Sequence, residues 1–298
     1  MKLWKYIYIL LLLTLSVIII SVFQLPDGNL HVIACDVGQG DAILITYKDI
    51  QILTDGGPDS SVLNCLGRHM PFWDRKIELV VSTHPDSDHS TGLTDVLERY
   101  KVDKVLINPI DPGTDIYRLL RNEVGSQGVW VVNPKEGMSL RLGLIYLDIL
   151  SPNDELLSRL TAVDEDSNLA KYVGIKETNL YSVVYKLSFK KFSGLFLGDI
   201  SPEISDSLSA GSAVEGVNYI KVPHHGSTNG LTQNLLEKIV STGGSSTIGV
   251  ISVGAKNQWG FPAPVILQML AKYNIKVYRT DQMGDVEVVT DGEKYWVK

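Results

Sequence analysis

Cysteine is nearly absent. Only Cys35 and Cys65 occur among 298 residues, which excludes a disulfide framework and any four-ligand zinc site built on thiolates. Positive charge is also short: 27 Lys and Arg face 34 Asp and Glu, a net charge of −7. That balance disfavours a general polyanion-binding surface, leaves room for a local basic groove, and owes part of its acidity to any carboxylates gathered around a metal. Internal repeats and linkers are missing, long apolar runs are missing except one, and histidine occurs at only six positions. A hydrophobic share of 44% with 20% charge is otherwise ordinary for a globular chain of this length.

The single long apolar run extends from Tyr6 to Pro26 with no charged residue. As a helix rising ~1.5 Å per residue it is long enough for the ~30 Å hydrocarbon core of a bilayer. Lys2 and Lys5 precede it and Asp27 follows, so the positive-inside rule places the N-terminus in the cytoplasm and the rest outside. A signal peptide is the alternative, but no small-x-small cleavage site follows Ile20, which favours an uncleaved, single-pass anchor. Residues 1–27 are read as this anchor or signal peptide, and residues 28–298 as one extracytoplasmic domain.

Past the anchor, Leu30 to Ala34, Ala42 to Thr46 and Gln51 to Thr54 are short β-branched runs separated by turn residues, as in consecutive antiparallel strands, and Cys35 reads as a strand residue. Ser60 to Arg68 reads as a helix, Ile77 to Ser82 as a buried strand, and Thr91 to Tyr100 as a helix with Leu93, Val96 and Leu97 inward. Val105 to Ile107 and Val129 to Val132 flank a helix near Asp115 to Val124. Strand patterning returns at Leu140 to Leu150 and Tyr181 to Phe196, around a polar surface insertion from Pro152 to Asn179. Thr247 to Val253 is a strand, Ala263 to Tyr273 a helix, and Lys276 to Arg279, Asp285 to Val289 and Lys294 to Val297 closing strands. This alternation predicts a layered α/β domain.

The chemistry concentrates in Thr83-His84-Pro85-Asp86-Ser87-Asp88-His89, which follows the apolar Val80-Val81. Two imidazoles and two carboxylates lie within six residues, and Pro85 turns the chain so that alternating residues can aim at one point. A helix cap would use one carboxylate and leave the rest unexplained. Leu195-Phe196-Leu197-Gly198-Asp199 delivers another carboxylate from a strand end, and Tyr219 to Ser227 delivers His224 and His225 in the same way. Mixed nitrogen and oxygen donors of this number suit two divalent ions, zinc or manganese, with Asp199 placed to bridge them. His31 and His69 read as a strand-start residue and a surface helix end.

Asp36-Val37-Gly38-Gln39-Gly40-Asp41, Thr54-Asp55-Gly56-Gly57, the His84–His89 cluster, Gly198-Asp199 and His224-His225-Gly226-Ser227 together resemble the metallo-β-lactamase family. Within it they are most similar to the branch at the end of the bacterial DNA-uptake protein ComEC, as are Ser252 to Asn257 and Arg279-Thr280-Asp281 with Gly284. The resemblance covers about Leu30 to Lys298 and implies an αββα sandwich with a dinuclear site at one edge. It implies that His84 and Asp86 bind one metal, that Asp88, His89 and His225 bind the other, and that Asp199 bridges. His224 becomes a group that either supports the metal ligands from behind or faces the substrate, Asp88 and His224 are the expected catalytic residues, and Asp55 becomes a carboxylate ordering the loop.

Three features depart from that pattern. One apolar segment cannot form a DNA channel of its own. No histidine lies between Asp95 and Asp199, where many members supply a further ligand. Gly260-Phe261-Pro262 replaces the usual Gly-His-Pro. The expected function is an extracytoplasmic phosphodiesterase acting on nucleic acid or another phosphodiester. The competing expectations are a hydrolase of another ester, lactone or amide, and a binding protein whose site has decayed.

Overall fold

The computed structural model describes residues 2–241 and 247–298; Met1 of the expected anchor and positions 242–246 lie outside the described residues. Helix α1 (Lys2–Phe23) opens the chain. The side chains described for it from Trp4 to Ile19 are all exposed. Among the described residues, no helix is long and apolar enough to cross a membrane. The expected helix is therefore present, while membrane spanning is not shown.

Among the described residues, two large sheets face each other. In chain order the first contains β1 (Leu30–Ala34), β2 (Ile43–Tyr47), β3 (Ile50–Thr54), β4 (Leu79–Ser82), β5 (Lys104–Ile107) and β6 (Trp130–Val132). The second contains β7 (Ser139–Leu142), β8 (Ile145–Ser151), β9 (Val184–Phe189), β10 (Phe192–Phe196), β11 (Tyr219–Lys221), β12 (Ile248–Ile251) and β13 (Lys276–Arg279). The chain then returns to the first sheet with β14 (Val286–Thr290) and β15 (Tyr295–Val297), giving the order β15-β14-β1-β2-β3-β4-β5-β6, while the second sheet keeps chain order. Each sheet starts antiparallel and becomes parallel, from β3 to β4 in one and from β10 to β11 in the other.

Patterning explains the layers. Val32, Ile45, Ile52 and Val81 alternate inward and meet Leu147, Tyr185, Leu187, Phe196 and Val250 of the opposing sheet. On the outer face of the first sheet, Ile33, Leu44, Leu53 and Val80 pack against Val62 and Leu66 of α2 (Ser61–His69), Leu93, Val96 and Leu97 of α3 (Ser87–Arg99), and Tyr117 and Leu120 of α4 (Asp115–Ser126). A third cluster covers the second sheet with α6 (Pro202–Ser209), α7 (Gln233–Val240) and α8 (Pro264–Lys272), after the short α5 (Asp154–Ser158). The arrangement is α-β-β-α. Because the residues of this core are buried to within a few per cent of full enclosure, cutting one buried Leu or Ile to Ala here costs about 2–5 kcal/mol.

Two local expectations are corrected. The expected helix from Thr91 begins at Ser87, so Asp88 and His89 stand in its first turn instead of in a loop; Pro85 and extended Asp86 make the turn that precedes it. Cys35, expected as a strand residue, follows β1 directly and forms a disulfide with Cys65 of α2, fastening the helix layer to the sheet edge.

Candidate metal centre

The C-terminal ends of strands in both sheets converge on one edge of the sandwich. Asp55 follows β3 at a φ of 58°, and His84 follows β4 after Thr83. Asp199 follows β10 past Gly198, and His224 and His225 follow β11 in a tight turn in which both adopt a left-handed φ of 52°. Consecutive left-handed residues without glycine are uncommon, and such strain concentrates at functional sites. The Asp36–Asp41 loop seals the centre from a third side. The Asp41 N–H donates to the Asp88 carbonyl at 3.1 Å and the Gly56 N–H to the His89 carbonyl at 2.7 Å. A Cβ on Gly40 would collide with the Asp88 carbonyl oxygen, which explains glycine there.

The sequence-predicted residues meet as follows. His84, His89 and Asp199 present ligand atoms to one another, as do Asp88, His89 and His225. His89 Nε2 lies 3.4 Å from Asp199 Oδ2, His225 Nε2 lies 3.3 Å from Asp88 Oδ2 and 3.7 Å from Asp199 Oδ2, and His84 Nε2 lies 3.8 Å from Asp86 Oδ2. His224 stands at the rim, its Nε2 3.9 Å from Asp199 Oδ2 and its N–H donating to Asp199 Oδ1. His31 and His69 lie elsewhere: His31 on β1 pairs with Asp27 and Glu287, and His69 ends α2 beside Asp285.

Each inner imidazole is held by its far nitrogen. His89 Nδ1 is 2.8 Å from Asp55 Oδ2, and His225 Nδ1 is 3.0 Å from the Ser252 carbonyl. The Thr83 hydroxyl donates to Asp55 at 2.7 Å and lies 2.9 Å from His84 Nδ1. These contacts fix Nδ1 as the protonated nitrogen and turn Nε2 of all three rings inward, the carboxylate–histidine arrangement that orients metal ligands. The Nε2 atoms of His84 and His89 are buried with no hydrogen-bond partner. Such orphans are costly unless a ligand completes them.

Electrostatics favour a cation at the same place. Burial and neighbouring His89 lower His84, keeping it a neutral donor. Burial would lower His225 too, but Asp199, Asp41 and Asp88 outweigh it and lift the ring to about 9. Burial likewise opposes charge on Asp199, yet the His89 and His225 rings hold its carboxyl well below the usual carboxylate range. In this charge pattern the centre holds positive charge as protons on imidazole, and a divalent ion supplies that charge directly. Two overlapping groups of side chains at this edge could hold an ion, His84 with His89 and Asp199, and Asp88 with His89 and His225; Asp86, expected as a ligand, stands 3.8 Å from His84 Nε2 and joins neither group.

Three contributors carried no sequence assignment. Lys221 is 1% exposed and its Nζ sits 2.7 Å from Asp41 Oδ2, while Asp41 Oδ1 lies 3.4 Å from His225 Nδ1. A lysine inside the apolar Tyr219–Val222 run is the signal that could have revealed it, since a buried ammonium requires a partner. Ser252 acts only through its carbonyl, which leaves no trace in side-chain pattern. Thr178, at the end of the polar insertion, donates its hydroxyl to Asp86 Oδ1. The insertion thus reaches the site, and Lys176 to Leu180 form one wall of a cleft of about 480 Å³ that also touches Asp86, Ser201 and His224.

Asp55→Asn is the sharpest test of this scaffold, because an amide presents N–H where both His89 and Thr83 need an acceptor. Divalent-ion affinity is expected to fall ~10–100-fold in a competition titration against a chelating dye, with unchanged far-UV circular dichroism. Unchanged affinity would reduce Asp55 to a packing residue.

No protein-family model matches the chain. It is 23% identical over 279 residues to ComE operon protein 3 of Bacillus subtilis (strain 168), covering 88% of this chain and 33% of that protein. It is 24% identical over 271 residues to Recombination protein 2 of Haemophilus influenzae (strain Rd), covering 89% of this chain and 29% of that protein. The chain thus spans about a third of the length of the curated relatives it matches. Among solved structures, the metallo-β-lactamase fold protein YhfI from Bacillus subtilis superposes over 91% of this chain and 100% of its own, with a TM-score of 0.52 at 10% identity. The chain has the metallo-β-lactamase fold. Its α-β-β-α layers, and the gathering of histidines and carboxylates at one sheet edge, are the arrangement that the sequence resemblance implied. The two ComEC-like relatives agree with the branch named from the sequence.

Proposed function

We propose that this metallo-β-lactamase-fold chain is a dinuclear-metal hydrolase of phosphodiesters, nucleic acid among them, held outside the cytoplasm by α1. The observation that carries the reading is the pair of buried, unpartnered Nε2 atoms of His84 and His89 facing Asp199. Bound there, two divalent ions, zinc or manganese, would supply Lewis acidity and a water nucleophile active near neutral pH. Asp199 Oδ2, within 3.9 Å of three imidazole nitrogens, is the group both ions would share. Asp88, partly exposed and hydrogen-bonded to His225, is placed to hold the proton of an attacking water. His224, at the rim with Nδ1 buried and unpartnered, is placed to donate to a leaving oxygen.

Three observations support the membrane-held, extracytoplasmic part. α1 exposes its apolar side chains from Tyr6 to Ile19, Lys2 and Lys5 precede its apolar run, and a Cys35–Cys65 disulfide suits an oxidising compartment. A second reading, hydrolysis of a more apolar ester, lactone or amide, draws on Trp259 and Phe261, whose rings lie 6.4 Å apart and nearly parallel beside His224.

The test is direct. The full chain in detergent, reconstituted with manganese or zinc, should retain close to two ions by elemental analysis and cleave bis(p-nitrophenyl) phosphate until a chelator is added. Absence of bound metal would overturn every hydrolase reading. Metal retention without diester cleavage would move the assignment to the second.

A further inference from the structure

On the first sheet, the metal centre and the end of α1 lie at opposite poles. α1 stops at Phe23 and β1 starts at Leu30. The link from Gln24 to Asn29 reaches at most ~20 Å even when fully extended. Register then defines the near pole: Leu30 opposes Tyr47 and Thr290, Tyr47 opposes Ile50, and Ile52 opposes Leu79. The starts of β1, β3 and β4 therefore share one end with the end of α1, while Asp55 and His84 leave the other end.

That near pole exposes an unexplained apolar feature. The Pro71–Asp74 turn, joining α2 to β4, carries Phe72 and Trp73 at 50% and 45% exposure, their rings stacked edge-on against each other at 4.9 Å. The Phe72 N–H donates to Gln24 Oε1 at 3.1 Å, which ties the turn to the residue immediately after α1. Leu25 is exposed alongside. At the same end, Trp130 opens β6 and stays exposed, with the Lys104 ammonium over its ring, and Lys48 extends from the β2–β3 turn. Aromatic side chains flanked by lysines at the end of an apolar helix are the composition of a bilayer interface, where indole and phenyl rings settle among headgroups and ammonium groups meet lipid phosphates.

We propose that Phe72 and Trp73 are a second membrane contact, inserted in the headgroup layer of the bilayer that α1 enters, so that the domain is seated with its metal centre facing away. The inference rests on the anchor reading above and adds an orientation to it. β3, five residues long at ~3.3 Å each, holds Asp55 about 16 Å from the seated end. The substrate then arrives from the aqueous side, and the class it points to is a soluble phosphodiester, not a lipid of the same membrane.

Single spin labels at Leu12→Cys, Phe72→Cys and Trp259→Cys test this in the full chain, in vesicles of phosphatidylcholine with phosphatidylglycerol, by comparing relaxation by oxygen and by a water-soluble nickel chelate. Position 12 should be oxygen-accessible and chelate-shielded, position 72 intermediate at headgroup depth, and position 259, beside the metal centre, fully chelate-accessible. A chelate-accessible 72 with a shielded 12 would overturn the second contact while leaving the anchor intact. An accessible 12 would overturn the anchor and the seating together, and a shielded 259 would overturn the orientation.

Discussion

Asp199→Ala is expected to abolish phosphodiester turnover while leaving the fold intact. The side chain touches no large apolar surface. It sits at the end of β10, where its Oδ2 faces His89, His225 and His224 and its Oδ1 accepts the His224 N–H. Truncation therefore removes the carboxylate that, on the proposed reading, both ions would share, and also frees the strained His224–His225 turn. Changes to groups that merely orient a metal ligand cost ~10–100-fold, and losing a shared ligand should exceed that. The expected result is loss of one or both bound ions by elemental analysis, turnover on bis(p-nitrophenyl) phosphate at background, and a thermal unfolding midpoint close to that of the metal-free parent. Wild-type turnover in purified Asp199→Ala would displace the centre from this edge altogether.

The site was legible because every motif follows an apolar strand. Val80-Val81, Leu195-Phe196 and Tyr219-Ile220 each read as buried strands, and a polar residue type placed just past such a strand is aimed by it. The layers were legible for the same reason: periodicity at Leu30–Ala34 or Lys276–Arg279 needs only local sequence. Other features depend on partners distant in sequence. Asp88 and His89 fall in the first turn of α3, since that boundary is set by Asp41 and Gly56 docking on their carbonyls. The Cys35–Cys65 bridge needed the layer geometry to bring α2 against the end of β1. The insertion from Pro152 to Asn179 looked like bare surface from its acidity, yet Thr178 reaches Asp86 because the insertion ends where β9 begins, next to the site. Phe72 and Trp73 were invisible in another sense: two aromatics in a turn signify nothing until the turn is found at the end of α1.

Phe261→His is the second large effect expected. Phe261 is held in place by Asn257, whose side chain accepts from the Phe261 N–H and donates to its carbonyl, so substitution should leave the loop where it is. Its ring lies 6.2 Å from that of His224 in an edge-on arrangement, close enough for an imidazole there to share a leaving oxygen or a phosphate oxygen with His224. Phenyl offers neither a proton nor a lone pair, so this chain has His224 alone at the rim where the resembled branch adds the histidine of Gly-His-Pro. A correctly placed acid or base contributes ~10²–10⁴-fold. Turnover of Phe261→His is therefore expected to rise toward that range on single-stranded DNA and on a small aryl phosphodiester, with the larger gain on DNA, whose poorer leaving group depends more on protonation. Trp259, 57% exposed and nearly parallel to Phe261, would keep its face free for a base to stack on, so affinity for DNA should change less than turnover. If both substrates stay flat with metals confirmed in place, the Trp259–Phe261 wall belongs to a different, more apolar substrate, and the ester, lactone or amide reading takes precedence.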